Sequence, residues 1–180
     1  MTEAAKYSAV EQLRDGREIE IRALRPVDEE AMLAAIDRTG AQSLYRRFFG
    51  SKSRFSDREK TFFLNVDFVS HVALVAVAQE DGRNVIVGGG RYVVVRPGTA
   101  ELAFAVIDEY QGQGIGAALL RHLTLLARGG GIEELIAEVL PENIPMLKVF
   151  QKSGLEMQSK HRTGVVDVTL SFANEVKRAC

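Results

Sequence analysis

Sulfur, tryptophan and surplus charge are what this chain lacks. Its one cysteine, Cys180, is also its last residue, which excludes a disulfide within the chain and any zinc site built on cysteines. A single thiol suits a reducing compartment, so a cytoplasmic location is expected. Charge is balanced at 23 Lys and Arg against 24 Asp and Glu, a formal net of −1, and no basic run of five occurs. Nucleic acid is therefore not an expected partner, because binding a polyphosphate needs a basic excess or patch. Long apolar runs are missing too. Residues 72–78 (VALVAVA) fall far short of the roughly 20 that cross a bilayer as a helix. The opening MTEAAKYSAVEQLRDG mixes acids, bases and polar residues and does not read as a secretory signal. No membrane partner is expected. His71, His122 and His161 show no HExxH-like spacing and read as surface or partly buried side chains, so no metal is expected.

What remains is an ordinary globular composition, 46% hydrophobic and 26% charged over 180 residues, enough for one domain with a substantial core. Residues 1–18 read as a loosely attached lead-in and 19–175 as the domain, with no repeat or linker dividing it. Residues 19–24 (IEIRAL) alternate apolar and polar, as a half-buried strand does. Asp28 then offers an N-cap for a helix over 29–38, with Val27 and Met32 at the positions of a hydrophobic staple and Gly40 past its end. Ser56-Asp57-Arg58-Glu59 is a capping box for a second helix, through about 65. Between them, Ser43–Phe49 is dense in aromatic and basic residues. It reads either as a packed helix or turn with snorkelling arginines, or as part of a wall that binds an acceptor.

The centre is strand-rich. Runs at 71–79, 85–95 and 100–107 are separated by Asp81-Gly82 and Arg96-Pro97-Gly98-Thr99, hairpin-type turns that predict an antiparallel meander. Gly88-Gly89-Gly90 inside the second run predicts a bulge or a close approach by another chain or ligand. A helix to about 128 follows, with Ile115, Ala118, Leu119, Leu123 and Leu126 on one face and Gly129-Gly130-Gly131 as its stop. A strand at 134–140, a helix over 144–153 and a strand near 165–173 complete an α+β domain with a mixed sheet.

Chemistry enters at residues 106–117, Val-Ile-Asp-Glu-Tyr-Gln-Gly-Gln-Gly-Ile-Gly-Ala. A strand ends, three glycines alternate with larger residues, and a helix begins. Glycines let the backbone turn its N–H groups toward one point, and the helix start adds unpaired donors and a partial positive charge. A diphosphate is the natural occupant. No Walker GxxxxGK[ST] is present. Gly112, Gly114 and Ala117 also fit the GxGxxA dinucleotide fingerprint, with Glu138 about 20 residues on. That reading needs further βαβ crossovers, for which the chain leaves little room after an antiparallel meander.

Gln111-Gly112-Gln113-Gly114-Ile115-Gly116 resembles the Q/R-x-x-G-x-G/A signature of the GNAT superfamily of acyl-CoA-dependent N-acyltransferases, placed between the fourth strand and third helix as in that family. The resemblance runs from about residue 19 to 173 in the order of elements. It implies the GNAT fold, a mixed, mostly antiparallel sheet flanked by helices. It also implies acetyl-CoA as co-substrate, with its diphosphate on the backbone amides of Gln111, Gly112, Gln113, Gly114, Ile115 and Gly116, and Ala117 beside them. Ala105 and Val106, on the preceding strand, would then meet the pantetheine arm. The segment 143–155 looks like the second family motif, commonly N-x-x-A-x-x-x-Y-x-K-x-G-F, with Asn143 toward the cofactor arm or, read by itself, a turn residue after Pro141. Phe150 stands where the family often has the tyrosine that protonates the departing thiolate.

Acyl transfer needs a neutral amine, and a lysine of pKa about 10.4 is neutral in only about one molecule in 2,500 at pH 7. A base is expected near the strand before the loop. Glu101, in Ala100-Glu101-Leu102-Ala103-Phe104, resembles the A-E-[LIF]-A-F strand of protein-lysine acetyltransferases, whose glutamate is the general base. Its alternative is a solvated strand-end carboxylate. Asp108 and Glu109 lie beside the loop, where a negative charge opposes a diphosphate. Leu44–Phe49 (LYRRFF) resembles the early segment of bacterial GNAT domains that acetylate acyl-CoA synthetases. The expectation is therefore acetyl transfer to a protein lysine, or else to a small-molecule amine, with Glu101 as base. A non-catalytic acyl-CoA-binding module is the rival reading, and the resemblance leaves room for a strand-edge homodimer.

Overall fold

The computed structural model describes residues 2–48 and 56–172. They form one eight-stranded sheet in the order β1-β2-β3-β4-β5-β6-β8-β7: β1 Ser8–Gln12, β2 Glu18–Ala23, β3 His71–Glu80, β4 Arg83–Arg96, β5 Thr99–Val106, β6 Glu134–Val139, β7 Glu156–Arg162 and β8 Val165–Ser171. Every neighbouring pair is antiparallel except β5 with β6. The α+β architecture and the central meander are those expected. Asp81 and Gly82, both at positive φ (48° and 76°), close the β3–β4 hairpin, the backbone twist that two-residue turns prefer.

Five helices cover the sheet: α1 Glu29–Asp37, α2 Ala41–Phe48, α3 Asp57–Leu64, α4 Ile115–Gly129 and α5 Ile144–Gln151. Helix α4 buries Ile115, Ala118, Leu119, Leu123 and Ala127, much of the stripe its sequence predicts. Ring contact between Phe104 of β5 and Phe150 of α5, centroids 6.2 Å apart, places α5 on the same face as α4. The opposite face, carrying Gly89, Arg91, Ala103 and Ala105, meets α1, α2 and Phe63 of α3 around a small cavity. The bulge expected at Gly88–Gly90 is present, and the close approach there is by this chain's own β5. The β3–β4 register shifts at Ala76/Val77, opposite Gly88. A Cβ on Gly90 would stand 2.7 Å from the Phe104 ring, and one on Gly88 3.2 Å from the Ala105 carbonyl oxygen. The glycines let β4 lie close against the last residues of β5.

Three local expectations need correction. The lead-in is not loose: β1 pairs with β2 along its whole length, from Ser8↔Arg22 to Gln12↔Glu18. Asp15-Gly16, with Gly16 at φ +88°, turns the chain between them. Asp28 precedes α1 without capping it by its side chain. Its carboxylate instead accepts from Arg22 Nη1 and Nη2 (2.7 and 2.8 Å) and from the Arg25 amide (2.7 Å). Burial raises the Asp28 carboxyl, and these bonds outweigh it and hold the carboxyl low. Val27 is 84% exposed, so no staple forms with Met32. By contrast Ser56 and Glu59 make the predicted capping box on α3, and Ser43–Phe48 resolves as helix α2. Phe49, residues 173–175 and Cys180 lie outside the described residues. No described helix is long and apolar enough to cross a membrane.

Candidate active site

The one parallel junction of the sheet is also where it opens. Pairing of β5 with β6 stops at Glu101↔Ile136, while β5 runs on to Val106 and β6 to Val139. Beyond Glu101 the two strands splay, and a cavity of about 650 Å³ occupies the wedge. It is lined by Glu101 through Val106, by Ala137–Val139 and by residues of α2, α4 and α5. The six residues from Glu101 to Val106 span roughly 17 Å of extended strand over five steps, so the wedge is long enough for an extended linker.

At its mouth sits the glycine loop. Gly112 and Gly114 adopt φ +75° and +101°, and nothing stands within 4 Å of where a Cβ would point. Conformation rather than crowding demands glycine there, and the surface around the loop stays open. The first bond of α4 runs from the Ala118 N–H to the Gly114 carbonyl at 3.0 Å. The amides of Ile115, Gly116 and Ala117 are thus outside the helical ladder at the positive end of the helix. A diphosphate fits this chemistry.

Side chains hold the loop from both flanks. Gln111 Nε2 lies 3.0 Å from Val106 O, 3.0 Å from Ser43 Oγ and 3.1 Å from Asp108 Oδ1, so the signature glutamine ties the strand end to α2. Ser43 Oγ donates to Asp108 Oδ1 (2.7 Å), and Glu109 accepts from Arg38 (2.6 Å). Both acids beside the loop are engaged in structure. From the other side comes the β1–β2 turn, which sequence reasoning passed over. Arg14 Nη1 donates to Gly112 O (3.1 Å), Arg17 Nη2 donates to Gln113 Oε1 (2.7 Å), and Arg17 lies 4.6 Å over the Tyr110 ring. The Asp-Gly pair at 15–16 was the available signal. The same strand grips α4 directly. Tyr7 Oη meets His122 Nδ1 (2.5 Å), and His122 Nε2 meets Glu11 Oε1 (2.7 Å). Arg121 pairs with Glu11 (2.6 Å) and holds its carboxyl below the usual range, against the opposing effect of burial and with help from His122.

Of the expected site residues, Glu101, Ala105, Val106, Gln111, Gly112, Gly114, Ile115, Gly116, Ala117 and Asn143 line the cavity. Gln113 is not on its wall and is held by Arg17 instead. Asn143 has a structural duty as well, its Oδ1 accepting from the Met146 amide as the N-cap of α5. Phe150 is 1% exposed and packs on Phe104. No proton donor stands at that position.

At the far end, Glu101 is exposed on the sheet face that carries Arg91 and meets α2. Burial pushes the Arg47 guanidinium down to about 10, against the pull of the Glu101 carboxylate. Burial pushes Arg91 down to about 9, with the Arg47 charge adding to the effect. Arg91 Nη1 also donates to Phe63 O (3.2 Å) and lies 3.0 Å from His71 Nε2. The basic segment of α2 is visible in the sequence, but its meeting with Arg91 is not, because α2 and β4 are brought together only by the fold. Among the described residues, no group of three or more His, Cys, Asp or Glu could hold a metal ion.

A sheet split between two parallel strands, with an anion cradle at the mouth of the split, is the arrangement of an acyltransferase that uses a coenzyme A thioester. Comparison with known proteins agrees. The acetyltransferase (GNAT) family model matches residues 39–155. Acetyltransferase PA5475 of Pseudomonas aeruginosa is 35% identical over 127 residues, which cover 70% of this chain and 68% of that protein. Acetyltransferase Pat of Mycolicibacterium smegmatis is 32% identical over 147 residues, 79% of this chain but 43% of Pat, so the chain spans under half of that relative. The crystal structure of the GNAT domain of S. lividans PAT superposes with a TM-score of 0.83 at 33% identity, covering 92% of this chain and 97% of that domain. The chain belongs to the GNAT acetyltransferase family, and acetyl-CoA is its acyl donor.

Proposed function

We propose that this protein transfers an acetyl group from acetyl-CoA to a primary amine by direct attack, with both substrates bound, and that the amine belongs to a protein lysine. The observation that carries the reading is the wedge itself, with the glycine cradle at one end and Glu101 at the other. The Gln111 amide is bonded to the Asp108 carbonyl (3.2 Å), so the amides of Gly112, Gly114, Ile115 and Gly116 hold the diphosphate, Ala117 sits beside them, and Arg14 adds a guanidinium at the cavity wall. Ala105, Val106 and Asn143 line the path of the pantetheine arm. Glu101 takes the proton as the amine nitrogen attacks the thioester carbonyl. The C–N bond forms, the C–S bond breaks, and the thiolate leaves to be protonated by water, since Phe150 offers no hydroxyl. The likeness of Ala100–Phe104 and Leu44–Phe49 to protein acetyltransferases supports a protein acceptor, and the lone cysteine supports a cytoplasmic setting.

Incubation of the protein with isotope-labelled acetyl-CoA and a cell lysate, followed by identification of what is labelled, tests activity and acceptor class together. Labelled lysines support the reading, and label confined to small amines replaces the protein acceptor. Phe150 keeps one rival alive, a binding module without chemistry. Calorimetric binding of acetyl-CoA with no thiol release on any amine or protein would establish that rival instead.

A further inference from the structure

Guanidinium groups gather on the α2 wall of the cavity. Arg46 and Arg47 of α2 line the wall with Glu101, and Arg91 lies close enough to Arg47 for their charges to interact. Two carboxylates line the cavity, Glu101 and Glu138, and Glu138 is already paired with Arg162 at 2.6 Å. Arg46 has no carboxylate partner among the described residues, and its Nε is buried without a hydrogen bond. A buried guanidinium N–H left unpaired is costly. It is the kind of donor that a planar anion satisfies through two parallel bonds. The donor's diphosphate has a cradle of its own, at the start of α4.

We propose that the amine acceptor carries a carboxylate close to its amine, and that Arg46 receives it. This rests on reading the wedge as an acyl-transfer site with Glu101 at the reacting end. A bare ammonium meets like charge at this wall. An acceptor that brings its own carboxylate is attracted, and the neighbouring guanidinium charges favour the neutral form of its amine, the form that attacks. The carboxylate has two sources, an acidic side chain flanking a lysine or the α-carboxylate of a free amino acid.

The test is calorimetry on the protein loaded with coenzyme A, so that no turnover is required, alongside acetylation rates with acetyl-CoA. End-blocked Lys-Glu and Lys-Gln peptides form one pair, and a panel of free amino acids against their amides forms the other. Wild type should favour the carboxylate member of one pair about tenfold in binding and in kcat/KM. Preference in the peptides assigns an acidic flank, and preference in the amino acids assigns the α-carboxylate. Arg46→Gln should erase the preference and Arg46→Glu invert it, with acetyl-CoA affinity unchanged as the check on folding. Equal binding of both members by wild type overturns the proposal without any variant. So does a preference that survives Arg46→Glu, or a large loss of acetyl-CoA affinity in Arg46→Gln, which would assign Arg46 to the donor. Selective binding without acetylation of any acceptor would instead refute the acyl-transfer reading and leave the anion site standing.

Discussion

At the loop end of the cavity, from Gln111 to Ala117, the groups that we propose face the donor are backbone amides and a helix start. At the far end, beside Glu101, the wall is made of side chains from α2 and β5, with Arg91 of β4 behind them in the neighbouring cavity that Arg47 also lines. Backbone recognition needs only the right φ values, so it is written locally, in glycines at fixed spacing. Side-chain recognition depends on what the fold carries together, and Arg47 and Arg91 are 44 positions apart. The first kind tolerates change in most side chains and fails at its glycines. The second fails at single charged groups.

The largest effect that sharpens this contrast is expected at the side-chain end. Glu101→Gln should lower kcat at pH 7 by about 10²–10⁴-fold, the usual worth of a general base, with acetyl-CoA affinity held within about a factor of two. Steady-state kinetics and calorimetry measure the two separately. An unchanged rate removes Glu101 from the mechanism.

At the backbone end the sensitive position is Gly114. Its φ of +101° is a region that side chains avoid, at about 1–3 kcal/mol for a non-glycine residue. No neighbour stands in the way of a Cβ. Gly114→Ala should therefore raise the acetyl-CoA Kd about tenfold or more through the loop's shape alone. Gly129→Ala, at the other end of the same helix, is the matched control. Gly129 also meets nothing within 4 Å and has no positive φ, so alanine there should hold or raise the melting temperature and leave the Kd alone. Equal losses in both variants would mean that conformation is not what the loop requires.

These two regions also mark what could be read from the sequence. The meander, its Asp81-Gly82 turn, the α3 capping box and the α4 stripe were legible because each is set by residues close in sequence. The Asp28 cap was not, because Arg22, six residues away across β2, competes for the same carboxylate with two bonds. Strand β1 was missed for a related reason. Its alternation in Ser8–Gln12 is weak, and its place comes from pairing with β2 and from the Tyr7–His122–Glu11 network to α4. Strand β7, Glu156–Arg162, is largely exposed and carries no apolar run to announce it. Ten of the eleven expected site residues line the wedge, since most belong to the glycine loop or to the strand that leads into it.

The β1–β2 turn is where the two modes meet, a side chain supporting a backbone cradle. Arg14→Ala should raise the acetyl-CoA Kd by about three- to tenfold, the scale of one exposed, charge-assisted contact. Turnover of acetyl-pantetheine, which has no diphosphate, should be unaffected. A loss of the same size with both donors would make Arg14 a prop for the loop rather than a contact of the diphosphate.

The smallest effect is one of stability, on the cationic side. Burial first and then the Arg91 charge push His71 down to about 4, so the folded protein keeps its ring neutral. Its Nε2 is then free to accept from Arg91 at 3.0 Å, and the ring lies stacked on Phe62 with centroids 4.9 Å apart. An unfolded chain protonates the same ring near pH 6.5. Stability from the neutral ring is therefore full above about 6.5 and drains as the pH falls toward 4. Asp67 acts in a lower window. Burial raises its carboxyl, but bonds from Ser70 and from the amides of Val69, His71 and Ser70 bring it down to about 2. Its share is kept above about pH 4 and lost only between there and 2. Urea unfolding at pH 7, 5 and 3 separates the two. Between pH 7 and 5 wild type should lose on the order of 1 kcal/mol, and His71→Gln, whose amide oxygen can still accept from Arg91, should lose clearly less. If His71→Gln shows the wild-type slope across that interval, the acid sensitivity comes from another group, and the Arg91 cluster does not depend on a neutral imidazole.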